Sequence, residues 1–229
     1  MSAASIRARV RAEMTEEIKS VARRHLATDG ANLSLRAVAR DMGMVSSALY
    51  RYFASRDALL TALIVDAYNA LGETAETADA DVTNRADLRG RWFAIGRAVR
   101  RWALANPAEY ALIFGSPVPG YAAPQDTFAA AIRTPATLVQ LLADGIASGA
   151  LPVHDAGELP ADVHADMARV RDQYFPFVPE ALLARGTIGW IHLFGAVSFE
   201  LFGQLDNVIE AREAYFDHQL RLMADLIGV

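Results

Sequence analysis

Apolar residues recur at three- and four-residue intervals along most of this chain and seldom alternate one by one, which predicts helices and almost no strand. Ile18, Val21, Ala22 and Leu26 share one face of a first helix. Thr15 is its expected N-cap, with Glu16 and Glu17 where carboxylates meet the positive end of the helix dipole, and Asp29-Gly30 is its expected stop. Ser34 is placed to cap a second helix carrying Leu35, Val38, Ala39 and Met42, which Gly43 ends. Ser46 is placed to cap a short third helix. Ser55 is placed to cap a long fourth one, with Asp57 in its first turn and Leu59, Leu60, Leu63, Ile64 and Ala67 as its stripe.

Beyond Ala67 the pattern loosens. Residues 74–87 are polar and acidic, and read as a loop or helix end before a helix over 88–106. Pro107 cannot lie inside that helix but suits the first turn of the next, where its missing N–H would have no intrahelical partner. Residues 115–124 are dense in Pro and Gly and predict a loop. Helices are expected over 125–148 and 161–172, with an irregular stretch between them. After Pro176 and Pro179, two strongly apolar helices are expected over 180–202 and 207–227. The expected fold is all-α, with a three-helix head over 1–56 and a helical bundle over 57–229.

A chain of 229 residues can hold one large domain, or a small one joined to a mid-sized one. It has no cysteine, which excludes disulfides, thiolate zinc sites and thiol nucleophiles. No apolar run near the N-terminus resembles a signal peptide. The most apolar later stretch, 190–203, is short and carries His192 and Glu200, so no membrane span and a cytoplasmic location are expected. The net charge of −5 conceals a split. Residues 1–56 hold ten Lys/Arg against five Asp/Glu, while the remainder is acidic. A basic head on an acidic body makes the head the part suited to a polyanion.

Residues 34–53 have the makings of a helix-turn-helix. Ala39 is small enough to let two helix backbones approach. Gly43, four residues on, can reverse the chain in a left-handed conformation, and Leu49, six further, can plug the pair together. The flanks sharpen this reading. Leu49-Tyr50-Arg51-Tyr52-Phe53, followed by Ser55-Arg56-Asp57-Ala58-Leu59-Leu60, resembles the signature of the tetracycline-repressor-like (TetR) family of bacterial regulators over about residues 15–63. In that family a short recognition helix ends in Leu-Tyr-x-His/Tyr-Phe, and Tyr52 stands at the histidine position.

The resemblance implies a repressor that binds a palindromic operator in double-stranded DNA as a homodimer and releases it when a small-molecule effector occupies the C-terminal bundle. It implies neither enzymatic activity nor a cofactor. Val45, Ser46, Ser47 and Tyr50 would meet the major groove, and Arg36 matches a position from which family members can reach a guanine. Ser34 and Arg56 would hold phosphates, helped by Tyr50 and Tyr52, with Arg7, Arg9 and Arg11 as a loose arm along the backbone.

In the body, Trp190, Gly195, Val197, Ser198, Glu200 and Leu201 are similar to a C-terminal domain class of the same family named for Trp, His and Gly. The chain departs from it at the histidine, whose place holds Phe194, with His192 two residues earlier. Trp92, Tyr110, Phe114, Tyr121, Phe128 and Trp190 are the candidate walls of an effector cavity under the Pro/Gly loop. The two C-terminal helices are the expected dimer interface. Two rivals remain open at this point. One is a helical interaction module that never touches DNA. The other is a metal-dependent enzyme using His154, Asp155, Glu158, Asp162, His164 and Asp166, although no phosphate loop, Gly-x-Ser-x-Gly elbow or His-Glu-x-x-His is present.

Overall fold

The computed structural model describes residues 3–29, 33–151 and 159–229, which form helices and no strand among them. Gly30, His154, Asp155 and Glu158 lie outside the described residues. Two compact units emerge, one of Met1–Asn69 with Asn106–Ala131, the other of Ala70–Ala105 with Ile132–Val229.

The first unit opens with α1 (Ala3–Asp29), α2 (Leu35–Asp41) and α3 (Ser46–Leu49), followed by the first part of α4 (Arg56–Ala80). It also contains α6 (Pro107–Phe114), a 3-10 turn at Gln125–Thr127 and the short α7 (Phe128–Ala131). Its core gathers the sequence-predicted stripes: Ile18, Val38, Ala39, Leu49, Leu59 and Leu60 have no exposed surface. Helix α1 begins twelve residues before Thr15, so Arg7, Arg9 and Arg11 are helical rather than a loose arm. No Gly or Pro interrupts 3–29, and Ala, Arg, Glu and Met favour helix. Thr15 lies mid-helix instead of capping, and its hydroxyl donates to the Arg11 carbonyl at 2.8 Å. The expected cap at Ser55 is present, with Oγ accepting from the Ala58 N–H at 3.0 Å.

The second unit comprises the rest of α4, α5 (Leu88–Ala105), α8 (Arg133–Ala147), α9 (Ala161–Tyr174), α10 (Glu180–Leu201) and α11 (Arg212–Ile227). The helix expected over 125–148 is broken at Ile132. Pro135 cannot donate to the Ala131 carbonyl and its ring crowds it, so α8 starts with Pro135 in its first turn. At the centre, Arg91 is fully buried and its Nε bonds Asp79 at 2.7 Å, while Nη2 reaches Asp144 at 2.8 Å. Burial by itself would raise the Asp79 carboxyl, but hydrogen bonds from Arg91 and Arg85 outweigh it and hold the group below its ordinary range.

Candidate nucleic-acid interface and ligand cavity

The turn between α2 and α3 is a Schellman motif. The Gly43 N–H donates to the Arg40 carbonyl at 3.0 Å and the Met44 N–H to the Ala39 carbonyl at 2.9 Å, which satisfies the last carbonyls of α2. Gly43 has φ +64°, and a Cβ there would meet nothing within 4 Å, so glycine is needed for conformation, not for space. Ser34 caps α2, its Oγ accepting from Ala37 at 3.4 Å. Because Val38, Ala39 and Leu49 face inward, the opposite face is left to the side chains expected to touch DNA.

Arg36, Ser47 and Tyr50 are exposed, and Val45 is 70% exposed although apolar. Ser46 is half-buried; Val45 rather than Ser46 occupies the cap position of α3, and no side chain caps it. Tyr52 is half-buried, with the Arg11 guanidinium over its ring at 5.2 Å, while Arg11 Nη2 also bonds the Arg51 carbonyl at 2.9 Å. Arg56 donates from Nε to the Leu33 carbonyl at 3.0 Å, tying the start of α4 to the chain entering α2. The eight candidates therefore lie on or beside α2, α3 and the start of α4, with Arg56 and Tyr52 also holding the head together. Sequence reasoning missed the brace beneath them. Asp66 of α4 receives Lys19 at 2.7 Å and Arg23 at 2.6 Å, both from α1, across more than forty residues of chain.

Of the six residues expected to wall a ligand cavity, Tyr121 and Phe128 line a cavity of about 540 Å³ bounded by α4, α6 and residues 115–131. The rings of Tyr110 and Phe114 meet at a 45° tilt with centroids 5.0 Å apart, and Phe114 meets Tyr68 of that wall edge-on at 6.1 Å. Trp92 and Trp190 belong to the other unit and do not line it. Trp92 is buried with its indole N–H on the Leu220 carbonyl at 2.9 Å, and Trp190 packs against Phe194. Glu200 is held by both arms of Arg100 at 2.7 Å. Among the described residues no group of three His, Asp or Glu is placed to hold a metal.

Comparison with known proteins agrees with this geometry. Residues 18–63 match the family described as bacterial regulatory proteins, tetR family, and residues 92–223 match the tetracyclin repressor-like C-terminal domain. The chain is 40% identical over 226 residues to the HTH-type transcriptional regulators Rv1816 of Mycobacterium tuberculosis and Mb1846 of Mycobacterium bovis, covering 95% of this chain and 94% of theirs. The solved structure of the regulatory protein SCO4313 is 35% identical, with TM-score 0.77, over 96% of this chain and 98% of that one. A head whose turn, caps and exposed face suit DNA, matched to such relatives along nearly its whole length, belongs to the tetR family of DNA-binding transcriptional regulators.

Proposed function

We propose that this regulator is a repressor that holds a palindromic operator as a homodimer and releases it when a small molecule fills the cavity walled by Tyr121 and Phe128. The observation that carries the DNA-contact assignment is the division of the 34–53 segment into a fully buried set and an exposed set on the opposite face. Val45, Ser46, Ser47 and Tyr50 read base edges from α3, and Arg36 reads a guanine. Ser34, Tyr52 and Arg56 hold phosphates and set register.

The dimer reading is supported by α10 and α11, which leave Ile188, Ile191, Phe199, Phe202, Leu222 and Leu226 between 42% and 61% exposed. Gly195 on α10, beside which a Cβ would meet nothing within 4 Å, leaves room for a partner helix to approach. Helix α10 is long and apolar enough to cross a membrane by length and composition, but in a cytoplasmic DNA-binding protein a second copy is the cover such a face requires. Operator release follows from linkage: a ligand favouring a head arrangement that does not fit two half-sites weakens DNA binding by its coupling energy, about 1–3 kcal/mol.

The test is a salt titration of binding to promoter-length duplexes. Phosphate contact requires affinity to fall steeply as salt rises. Absence of binding to any such duplex at low salt overturns the reading.

A further inference from the structure

The loop that closes the cavity is also a part of the head's core. Val118 is 8% exposed and belongs to the same apolar cluster as Leu33, Leu35, Leu49 and Phe53, with Leu112 and Tyr121 packed at its edge. Leu112, Val118 and Tyr121 are at the same time cavity wall. One tight turn joins the last two. The Tyr121 N–H donates to the Val118 carbonyl at 3.1 Å, Pro119 follows Val118, and Gly120 has φ +75°. This is the proline–glycine pattern of a type II turn. Pro119 confines the Val118 backbone to extended conformations, and Pro117 just before it has its own φ fixed. Val118 and Tyr121 are thus the two ends of a stiff strut, one end seated in the head and the other hydrogen-bonded to Thr61 of α4 at 2.9 Å.

The chemistry of the wall restricts what can enter. No described residue lining the cavity is charged, and three of its hydroxyls are engaged within the protein, Tyr121 with Thr61, Thr127 with the Pro124 carbonyl at 2.8 Å, and Tyr68 with the Ile113 carbonyl at 3.4 Å, while Ser116 and Gln125 add uncharged polar groups to the wall. Burial raises the Tyr68 phenol, which keeps that group neutral. A charged molecule entering there would lose hydration with no ion to replace it.

Resting on the ligand-responsive reading above, we propose that the cavity takes an uncharged, largely apolar molecule and that the head senses its presence directly through the Val118–Tyr121 strut. A guest that displaces the Tyr121 ring must tilt the turn and draw Val118 from the core beneath α2 and α3.

The full-length protein is titrated with Prodan, a neutral naphthalene ketone, and with the anionic 1-anilinonaphthalene-8-sulfonate, while amide hydrogen exchange is followed in α2 and α3. Prodan is expected to bind with a blue-shifted emission, the sulfonate at least about tenfold more weakly because its charge finds no partner. Exchange in α2 and α3 should rise several-fold with Prodan. Ala131→Trp, which fills the cavity, should abolish Prodan binding; Phe128→Ala, a milder change to the wall, should weaken it if Ala131→Trp does not fold. With Prodan added to saturation, Val118→Ala, which shortens the end of the strut seated in the head, should lose the further rise in exchange in α2 and α3. The proposal is overturned if Prodan does not bind, if the sulfonate binds as tightly, if neither wall variant affects binding, or if bound Prodan leaves exchange in the head unchanged. Should Prodan alter the head yet leave duplex affinity the same, the ligand-responsive reading fails while the neutral cavity and its strut stand.

Discussion

Tyr121 and Thr61, sixty positions apart, share a hydrogen bond of 2.9 Å between their hydroxyls, fastening the loop after α6 to α4 within the unit that contains the head. Tyr121→Phe keeps the ring and removes only this bond, so stability should fall by about 1 kcal/mol. Thr61→Val should cost a similar amount. In a double-mutant cycle by urea denaturation, the second substitution should add little to the first. Fully additive losses would show that the bond contributes nothing as a pair.

The turn at Gly43 permits a cleaner test. Since a Cβ there meets nothing, Gly43→Ala should cost only the left-handed backbone penalty, about 1–2 kcal/mol. Gly43→Asn should cost less, because asparagine tolerates that region. Equal losses in thermal denaturation for both variants would contradict a purely conformational role.

Two arginines separate specificity from grip. Arg36→Ala should relax preference at one base pair and cost about 1–3 kcal/mol on the preferred site. Arg56→Ala should weaken binding to all duplexes alike and also lower the melting temperature, because its Nε bond to Leu33 is lost. Selection from a randomised duplex pool reads the first effect, and calorimetry of the free protein reads the second.

Asp79 sets an acid limit. Its folded-state pKa lies below the unfolded value, so its contribution is present above the ordinary carboxylate range and is lost as pH falls through the lowered folded value. Asp79→Asn should destabilise the protein at neutral pH by about 3 kcal/mol, since Arg91 is left buried with a partner missing. The same variant should flatten the loss of stability toward acid. Chemical denaturation from pH 7 downward measures both.

Ile191→Glu or Phe199→Glu should convert a dimer to monomer in sedimentation at micromolar concentration, because each places a charge on the exposed apolar face of α10. A dimer that persists in both variants would place the interface elsewhere.

Much of this protein is legible locally. Ser34, Ser55, Gly43 and Pro107 mark helix ends by groups that act within four residues of themselves, and the buried faces of α2 and α4 follow from spacing alone. The misread boundaries are also local in cause. Thr15 is a cap or a mid-helix residue depending on what precedes it, and Pro135 breaks a helix three residues upstream. The exposure of Ser34, Arg36, Val45, Ser47 and Tyr50 was likewise readable, because a helix whose inner face is known has a known outer face, whereas the half-burial of Ser46, Tyr52 and Arg56 was not. The residues that join distant segments were not readable: Asp66 with Lys19 and Arg23, Arg91 with Asp79 and Asp144, and above all Val118. Nothing in Pro-Val-Pro-Gly announces that its valine completes a core more than fifty residues away. Short-range spacing and capping chemistry determined the head and its family resemblance. Only tertiary packing decided which aromatics share a cavity and which loop touches the head, because those contacts join segments between which no local periodicity exists.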